Sequence, residues 1–293
     1  MNHIIAEAIH EGVETIVNTQ EKTTRSGRQQ ARQRAITEAV MSEGAVRIED
    51  LADRFNISVM TVHRDLDELE ARGLLRKERG VASATSTALV ESSYVYRSSR
   101  QLAEKEAIAR AALDFVSHGQ AIILDDSTTT LSLVPHLTAK TPLTVITNTL
   151  TVMEAVNGMK GVSLLGLGGQ FYDWCSAFMG RMTLDAIRTL RTDVAVMSTS
   201  AITDGLAFHQ SLETVDIKRA MFESANKRIL LADHTKFDKR ALYMTMPLSE
   251  FDAVIVDEHT HPDHISSLRD NDTNVVVASR TSSADRNSKY GEE

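Results

Sequence analysis

The chain has 293 residues, 42% of them hydrophobic, and a formal net charge of −8. That length holds two domains with a substantial core, and the acidic balance argues against a protein coated throughout for nucleic acid. No apolar run approaches the roughly 20 residues that span a bilayer, so no membrane partner is expected. The one cysteine, Cys175, allows no intrachain disulfide, which suits a cytoplasmic location. The N-terminal residues lack the basic flank and continuous apolar stretch of a signal peptide.

In chain order, residues 1–30 read as a helix-prone extension followed by a linker, TTRSGRQQ. A first helix is expected from Ala31 to about Ser42. Residues 47–72, RIEDLADRFNISVMTVHRDLDELEAR, then read as two short amphipathic helices joined by a tight turn. Leu51, Ala52 and Phe55 form an apolar stripe on the first, and Val59, Val62, Leu66 and Leu69 form one on the second. Ser58 sits where an N-cap belongs. Met60, Thr61, His63 and Arg64 are left facing outward near the start of the second helix. This is the pattern of a helix-turn-helix, whose second helix offers its first turns to base edges in the major groove.

After a helix stop at Arg72-Gly73, LLRKERGVASATSTALV alternates apolar and basic residues and reads as a wing along the phosphate backbone. The DNA-binding candidates are therefore Arg47, Ser58, Met60, Thr61, His63, Arg64, Arg76, Lys77 and Arg79. Thr61, His63 and Arg64 are expected at bases, with Arg64 bidentate to a guanine; Ser58 and the wing cations are expected on phosphates. Arg28, Arg32 and Arg34 add further phosphate-binding charge. Residues 25–80 hold 11 Lys and Arg against 10 Asp and Glu, whereas 81–293 hold 20 against 26. So weakly basic a domain would bind poorly alone, because much of the affinity comes from phosphate neutralisation. A homo-oligomer, dimer or tetramer, is expected.

The DNA-binding domain is thus expected over 31–81, a Ser/Thr/Ala-rich hinge over 82–99, a second domain over 100–280 and a disordered polar tail over 281–293. In the second domain QLAEKEAIARAALDFV is a strong helix closed by Gly119. Short apolar strands follow at Ala121–Leu124, Leu143–Thr147, Val162–Leu167, Val194–Met197, Arg228–Leu231, Ala253–Val256 and Val275–Ala278. Helical patterns lie between most of them, notably Met179–Leu190 and Leu212–Asn226. This alternation predicts an α/β fold with a mostly parallel sheet.

In such a sheet, ligands bind beyond the carboxyl ends of the strands. Five strand ends carry polar chemistry: Asp125-Asp126-Ser127-Thr128-Thr129, Thr147-Asn148, Gly168-Gly169, Ser198-Thr199-Ser200 leading on to Asp204-Gly205, and Asp233-His234-Thr235-Lys236. Ser127, Thr128 and Thr129 at a helix start suit an anion, and two glycines allow close approach to a ligand. Lys236 supplies a point charge for phosphate. Asp125 and Asn148 suit sugar hydroxyls, and Lys218 is a further candidate, with a solvated helix face as its other reading. The histidines of DEHTHPDH, residues 257–264, are read as a solvated turn rather than a metal site. No cofactor is expected. No nucleophile–base pair stands out, so catalysis is not expected. A sugar-phosphate isomerase and a domain that only oligomerises are kept as alternatives.

Two sets of motifs are shared with a known family. AVRIEDLADRFNIS, TVHRDLDELEARGLL and the basic stretch ending in Gly80 resemble the N-terminal domain of the DeoR/GlpR family of bacterial repressors. LDDSTTT, VITNTL, LGLGG, ETVDIKRAM and LADHTKF resemble its sugar-phosphate sensor domain. The resemblance runs from about residue 31 to 257. It implies a winged helix-turn-helix that binds operator DNA, and a sensor domain similar in fold to ribose-5-phosphate isomerase. The effector it implies is a phosphorylated sugar. Three positions depart from the family pattern: His63 replaces a usual Arg, Gly80-Val81-Ala82 replaces Gly-Gly-Ala, and Ser127 replaces a glycine in the expected phosphate cradle.

Overall fold

The computed structural model describes residues 29, 32–33, 35–37, 39–40, 43–71, 75–84 and 94–279. The expected extension, the Arg72-Gly73 stop, most of the hinge, the tail, Arg28 and Arg34 lie outside the described residues. The chain divides into two compact units between Glu91 and Ser92.

In the first unit the described residues from 29 to 40 are helical. Strand β1 (Ala45–Arg47), helix α1 (Ile48–Phe55), helix α2 (Val59–Ala71), β2 (Leu75–Glu78) and β3 (Val81–Ala84) follow. Asn56 stops α1 by turning left-handed at φ 50°, and the Ile57 amide donates back to the Ala52 carbonyl at 3.0 Å. Ser58 then starts α2, its Oγ accepting from the Thr61 amide at 3.1 Å. Glu78 lies opposite Val81, so only Arg79 and Gly80 make the wing turn. Both have positive φ, 50° and 79°, as a two-residue hairpin of matching twist requires. The antiparallel sheet has the order β1-β3-β2. Strand β1 was not legible beforehand: three residues carry no period.

Ile36, Val40, Leu51, Val62, Leu66 and Leu75 make the core of this unit. Val59, on the first turn of α2, does not join them; at 42% exposure it faces solvent. Asp65 is fully buried on α2. It accepts from Arg32 Nε at 2.6 Å and Nη2 at 3.0 Å, and from Gln33 Nε2 at 3.3 Å. Arg32 is therefore not available for DNA phosphates, contrary to the expectation: the buried carboxylate claims its guanidinium.

The second unit is built on a seven-stranded sheet of order β15-β14-β12-β9-β4-β5-β6. Its strands are β4 (Ala121–Leu124), β5 (Leu143–Thr147), β6 (Val162–Gly166), β9 (Thr192–Ser198), β12 (Ala225–Ala232), β14 (Ala253–Asp257) and β15 (Val275–Ala278). All six neighbour pairings are parallel. Side chains alternate between two buried faces: Ile122 and Leu124 point to one, Ile123 to the other. Helices α4 (Leu102–Ala112) and α6 (Leu150–Val156) cover the first face; α7 (Arg181–Arg188), α8 (Leu212–Ser224) and α9 (Pro262–Asp270) cover the second. Two short helices, α3 (Tyr94–Ser98) and α5 (Thr128–Leu131), lie before α4 and after β4.

Two smaller sheets were not foreseen. One is the hairpin β7 (Gln170–Tyr172) with β8 (Ala177–Met179). The other is an antiparallel trio of β10 (Ala201–Thr203), β11 (Leu206–His209) and β13 (Tyr243–Pro247). Asp204-Gly205, expected on the ligand rim, is instead the two-residue turn between β10 and β11, with φ of 51° and 71°. The glycine pair after β6 also has a structural cause. A side chain at Gly169 would run into Thr183 and lie 2.8 Å from the Met179 carbonyl. Thr183 Oγ1 also donates to the Gly168 carbonyl at 2.8 Å. The close approach that Gly169 permits is to the start of α7.

Two stability predictions follow from this packing. Asp65→Ala strands Arg32 and Gln33 beside a buried hole and should cost the first unit about 3 kcal/mol, read by denaturant unfolding. Gly169→Ala should lower stability by about 1–3 kcal/mol in thermal or denaturant unfolding; an unchanged midpoint would show that the loop relaxes freely.

Candidate functional site

In the first unit, the side of α2 turned from the core carries Met60, which is 76% exposed, Arg64, also exposed, and the half-buried Thr61 and His63. Ser58 Oγ lies 2.8 Å from Thr61 Oγ1 as well as capping the helix, so Thr61 is oriented by the cap. Arg47 is exposed at the end of β1. On the wing, Arg76 and Arg79 are exposed, and Arg76 lies 3.8 Å from Glu78. Lys77 is placed differently. Its ammonium bonds Asp67 of α2 and its amide donates to Glu70 at 3.0 Å, so it fastens the wing to the helix.

In the second unit, β4 runs outward to β5 and β6, whereas β9 lies on its other side and leads to β12, β14 and β15. The chain thus reverses direction across the sheet between β4 and β9, which opens a crevice at their carboxyl ends. The ends of β12, β9, β4, β5 and β6 are consecutive neighbours, so Asp233, Ser198, Asp125, Thr147 and the Gly168-Gly169 loop share one rim.

Lys218 of α8 reaches into this crevice and is buried there. Its Nζ bonds Asp125 Oδ2, donates to the Ser198 carbonyl at 3.1 Å, and lies 3.3 Å from Asp126 Oδ1. Burial works to lower its pKa, but Asp125 and Asp126 outweigh it and the ammonium is stabilised. Lys218 is therefore a buried cation, not a member of a solvated helix face. Asp125 Oδ1 accepts from the Ser127 amide at 3.1 Å and Thr130 Oγ1 at 2.9 Å; Oδ2 accepts from the Ser198 amide at 2.8 Å besides Lys218. Four donors occupy the lone-pair positions of this carboxylate. Ser127 Oγ accepts from the Thr130 amide at 3.1 Å, so it caps α5. Thr128 and Thr129 are buried beside it, and Thr128 Oγ1 accepts from Lys105 Nζ at 2.9 Å.

On β5, Thr147 Oγ1 accepts from the Thr149 amide at 3.2 Å, and Asn148 Nδ2 donates to the Phe178 carbonyl at 2.8 Å. Asn148 Oδ1 is buried with no partner, as is Asp126 Oδ2. Burial opposes ionisation of Asp126, but Lys218 and then Arg97 hold its carboxyl below the usual range. His209, at the end of β11, is pushed down to about 3 by burial and then by Lys218. Its Nδ1 accepts from the Ser211 amide at 3.1 Å, which assigns the ring proton to Nε2.

Cations gather at the other end of the crevice. Lys236 lies 3.6 Å from Asp233, whose Oδ1 caps the following turn by accepting from the Thr235 amide at 3.1 Å. Burial opposes the Asp233 charge, but Lys236 outweighs it. Lys105 is buried, and its ammonium is pushed down to about 7 by burial and by Lys236, with Arg97 and Lys239 adding to the effect. Several cations thus act on one another with Asp233 as counter-charge, an arrangement that favours an anion.

Lys105, Arg97 and His209 were missed from the sequence, and Asp126 was named at the end of β4 without a role. Lys105 could have been found: it shares the buried stripe of α4 with Ile108, Ala109 and Ala112, at three-, four- and seven-residue spacing. Arg97 sits in a Ser/Tyr-rich segment with no periodic signal. Among the described residues no group of His, Cys, Asp and Glu is arranged to hold a metal ion. In the histidine turn, Asp257 accepts from the amides of His234 at 2.6 Å and His259 at 2.9 Å, which explains the acid there. Cys175 is buried and its thiol is pushed up to about 12, chiefly by burial, so it is unreactive. No described helix is long and apolar enough to cross a membrane.

Residues 32–88 match the DeoR-like helix-turn-helix domain, and residues 100–258 match the DeoR C-terminal sensor domain. The chain is 30% identical to the glycerol-3-phosphate regulon repressor of Escherichia coli, over 78% of this chain and 91% of that one. It is also 30% identical to the lactose phosphotransferase system repressor of Lactococcus lactis, over 80% of this chain and 92% of that one. Among solved structures, ribose 5-phosphate isomerase A of Methanocaldococcus jannaschii aligns at 15% identity and a TM-score of 0.33, over 45% of this chain and 53% of that one. With a DNA-reading helix in one unit, a switch-point crevice in the other and both family models matched in order, the chain belongs to the DeoR family of transcriptional regulators.

Proposed function

We propose that this protein is a repressor of genes for carbohydrate use, whose operator affinity is set by a phosphorylated sugar. The observation that carries this reading is the joining, in one chain, of a helix-turn-helix with an exposed reading face and a crevice that is cationic at one end and rich in unpaired acceptors at the other. Met60, Thr61, His63 and Arg64 meet base edges; Arg47, Ser58, Arg76 and Arg79 meet phosphates; Lys77 holds the wing in place. Lys105, Lys236 and the first-turn amides of α5 take the effector's phosphate. Asn148 takes a hydroxyl. Asp125, Ser127, Thr147, Gly168, Gly169, Asp233 and Lys218 act one step back, by shaping the rim. The protein works in the cytoplasm as a homo-oligomer, which multiplies the modest charge of one DNA-binding unit. It is a regulator rather than an enzyme: Asp125 has no lone pair left for proton abstraction. The effector changes operator affinity only as far as it prefers the DNA-incompetent or the DNA-competent state.

Binding to DNA from the protein's own promoter region, with and without a panel of sugar phosphates and at two salt concentrations, tests this. Specific binding altered by one phosphorylated sugar is expected, with Arg64→Ala costing about 1–3 kcal/mol and relaxing specificity at one base. Binding without sequence preference at either salt sinks the reading. The effector site has its own pH signature. Lys105 is protonated below about 7 and must regain its proton to hold an anion above it. From pH 7 to 9, where a phosphate monoester is already a dianion, calorimetric affinity should fall by up to about tenfold per pH unit. Lys105→Arg should flatten the dependence, and a flat profile in the parent protein would remove Lys105 from the phosphate.

A further inference from the structure

Arg97 stands on α3, the first described element of the second unit. Its Nε and Nη2 are buried and have no hydrogen-bond partner. These two N–H groups form one edge of the guanidinium, the fork that matches two oxygens of a single oxyanion. A buried donor pair of this kind is costly unless something accepts from it. The backbone of the same residue is firmly placed: its carbonyl accepts from Lys105 Nζ and, at 3.3 Å, from Thr128 Oγ1. The helix start is held as well, the Tyr94 amide donating to the Trp174 carbonyl at 2.8 Å. Arg97 is thus fixed by residues of the cationic end of the crevice. Its charge also acts on Asp126, His209 and Lys218 at the other end. Asp126 Oδ2 is likewise buried and unpartnered, yet Arg97 and Asp126 do not bond each other.

We propose that Arg97 belongs to the effector site, its Nε/Nη2 edge gripping two phosphate oxygens while Asp126 Oδ2 accepts from a hydroxyl of the same molecule. This rests on the sensor reading above and adds orientation to it. A lysine offers a point charge that tolerates many poses, whereas the planar fork and the facing carboxylate fix which way the molecule lies. Residue 97 follows closely on the division between the two units. An occupied crevice therefore holds, through a side chain, the helix by which the chain enters the sensor.

The test uses the full chain labelled with 15N-arginine and titrated with inorganic phosphate at constant ionic strength. The Arg97 Nε–H resonance is identified by its loss in Arg97→Lys, or in Arg97→Gln should the first variant not fold. We expect this resonance to shift and saturate. We expect Arg97→Lys to bind phosphate at least tenfold more weakly, and Arg188→Lys, on the exposed face of α7, to bind as the parent does. A resonance that stays put while phosphate still stabilises the protein overturns the proposal. So does the absence of any phosphate binding, or an Arg97 resonance that moves only when Asp126 is changed to Asn, which would mean the two pair internally. The sensor reading itself is judged separately, by the effect of sugar phosphates on promoter binding.

Discussion

The second unit depends on one buried cation. Lys218 comes from a helix on one face of the sheet, reaches the ends of β9 and β4, and pairs with two adjacent carboxylates there. Burying three charges in a low-dielectric interior is tolerable only when they are paired and their remaining positions filled. Asp125 meets that condition completely, through two backbone amides, a threonine hydroxyl and the lysine. In doing so it ties the β4 loop to the end of β9, across the point where the sheet reverses direction. The crevice is held open by a charge network that the strands on either side both contribute to.

Asp126 meets the condition only in part, and so does Asn148. Beside a fully satisfied frame, Asp126 Oδ2, Asn148 Oδ1 and two guanidinium nitrogens of Arg97 are left without partners. A folded protein leaves few buried polar atoms unpaired, so this group supports the proposed effector site. The repulsion among Lys105, Lys236, Arg97 and Lys239 belongs to the same account. It costs stability in the free protein, and an anion bound as proposed would relieve it.

The first unit shows the same device put to a structural end. Asp65 lies on the recognition helix but points away from the reading face, and Arg32 and Gln33 clasp it from the helical residues that precede β1. Position in sequence suggested that Arg32 was a DNA contact; burial made it a strut. Lys77 changed role for a different reason: Asp67 and Glu70 of α2 lie within reach of its ammonium and its amide.

The amino-acid sequence alone was enough for the elements with strong local signals. The helix-turn-helix follows from apolar residues at three- and four-residue spacing and a serine cap. The parallel sheet follows from short apolar runs separated by helices, and β4, β5 and β15 begin and end where their apolar runs do. The polar strand ends were legible too, because a parallel sheet puts every carboxyl end on one rim. Only the tertiary structure decided which of those residues face a ligand and which hold the rim together. Glycine 169 reads the same whether a phosphate or Thr183 lies against it, and an arginine in a Ser/Tyr-rich segment has no periodicity to reveal where it points. Those roles are set by contacts between residues far apart in the chain, such as Lys218 with Asp125, and no local pattern encodes a partner 93 positions away.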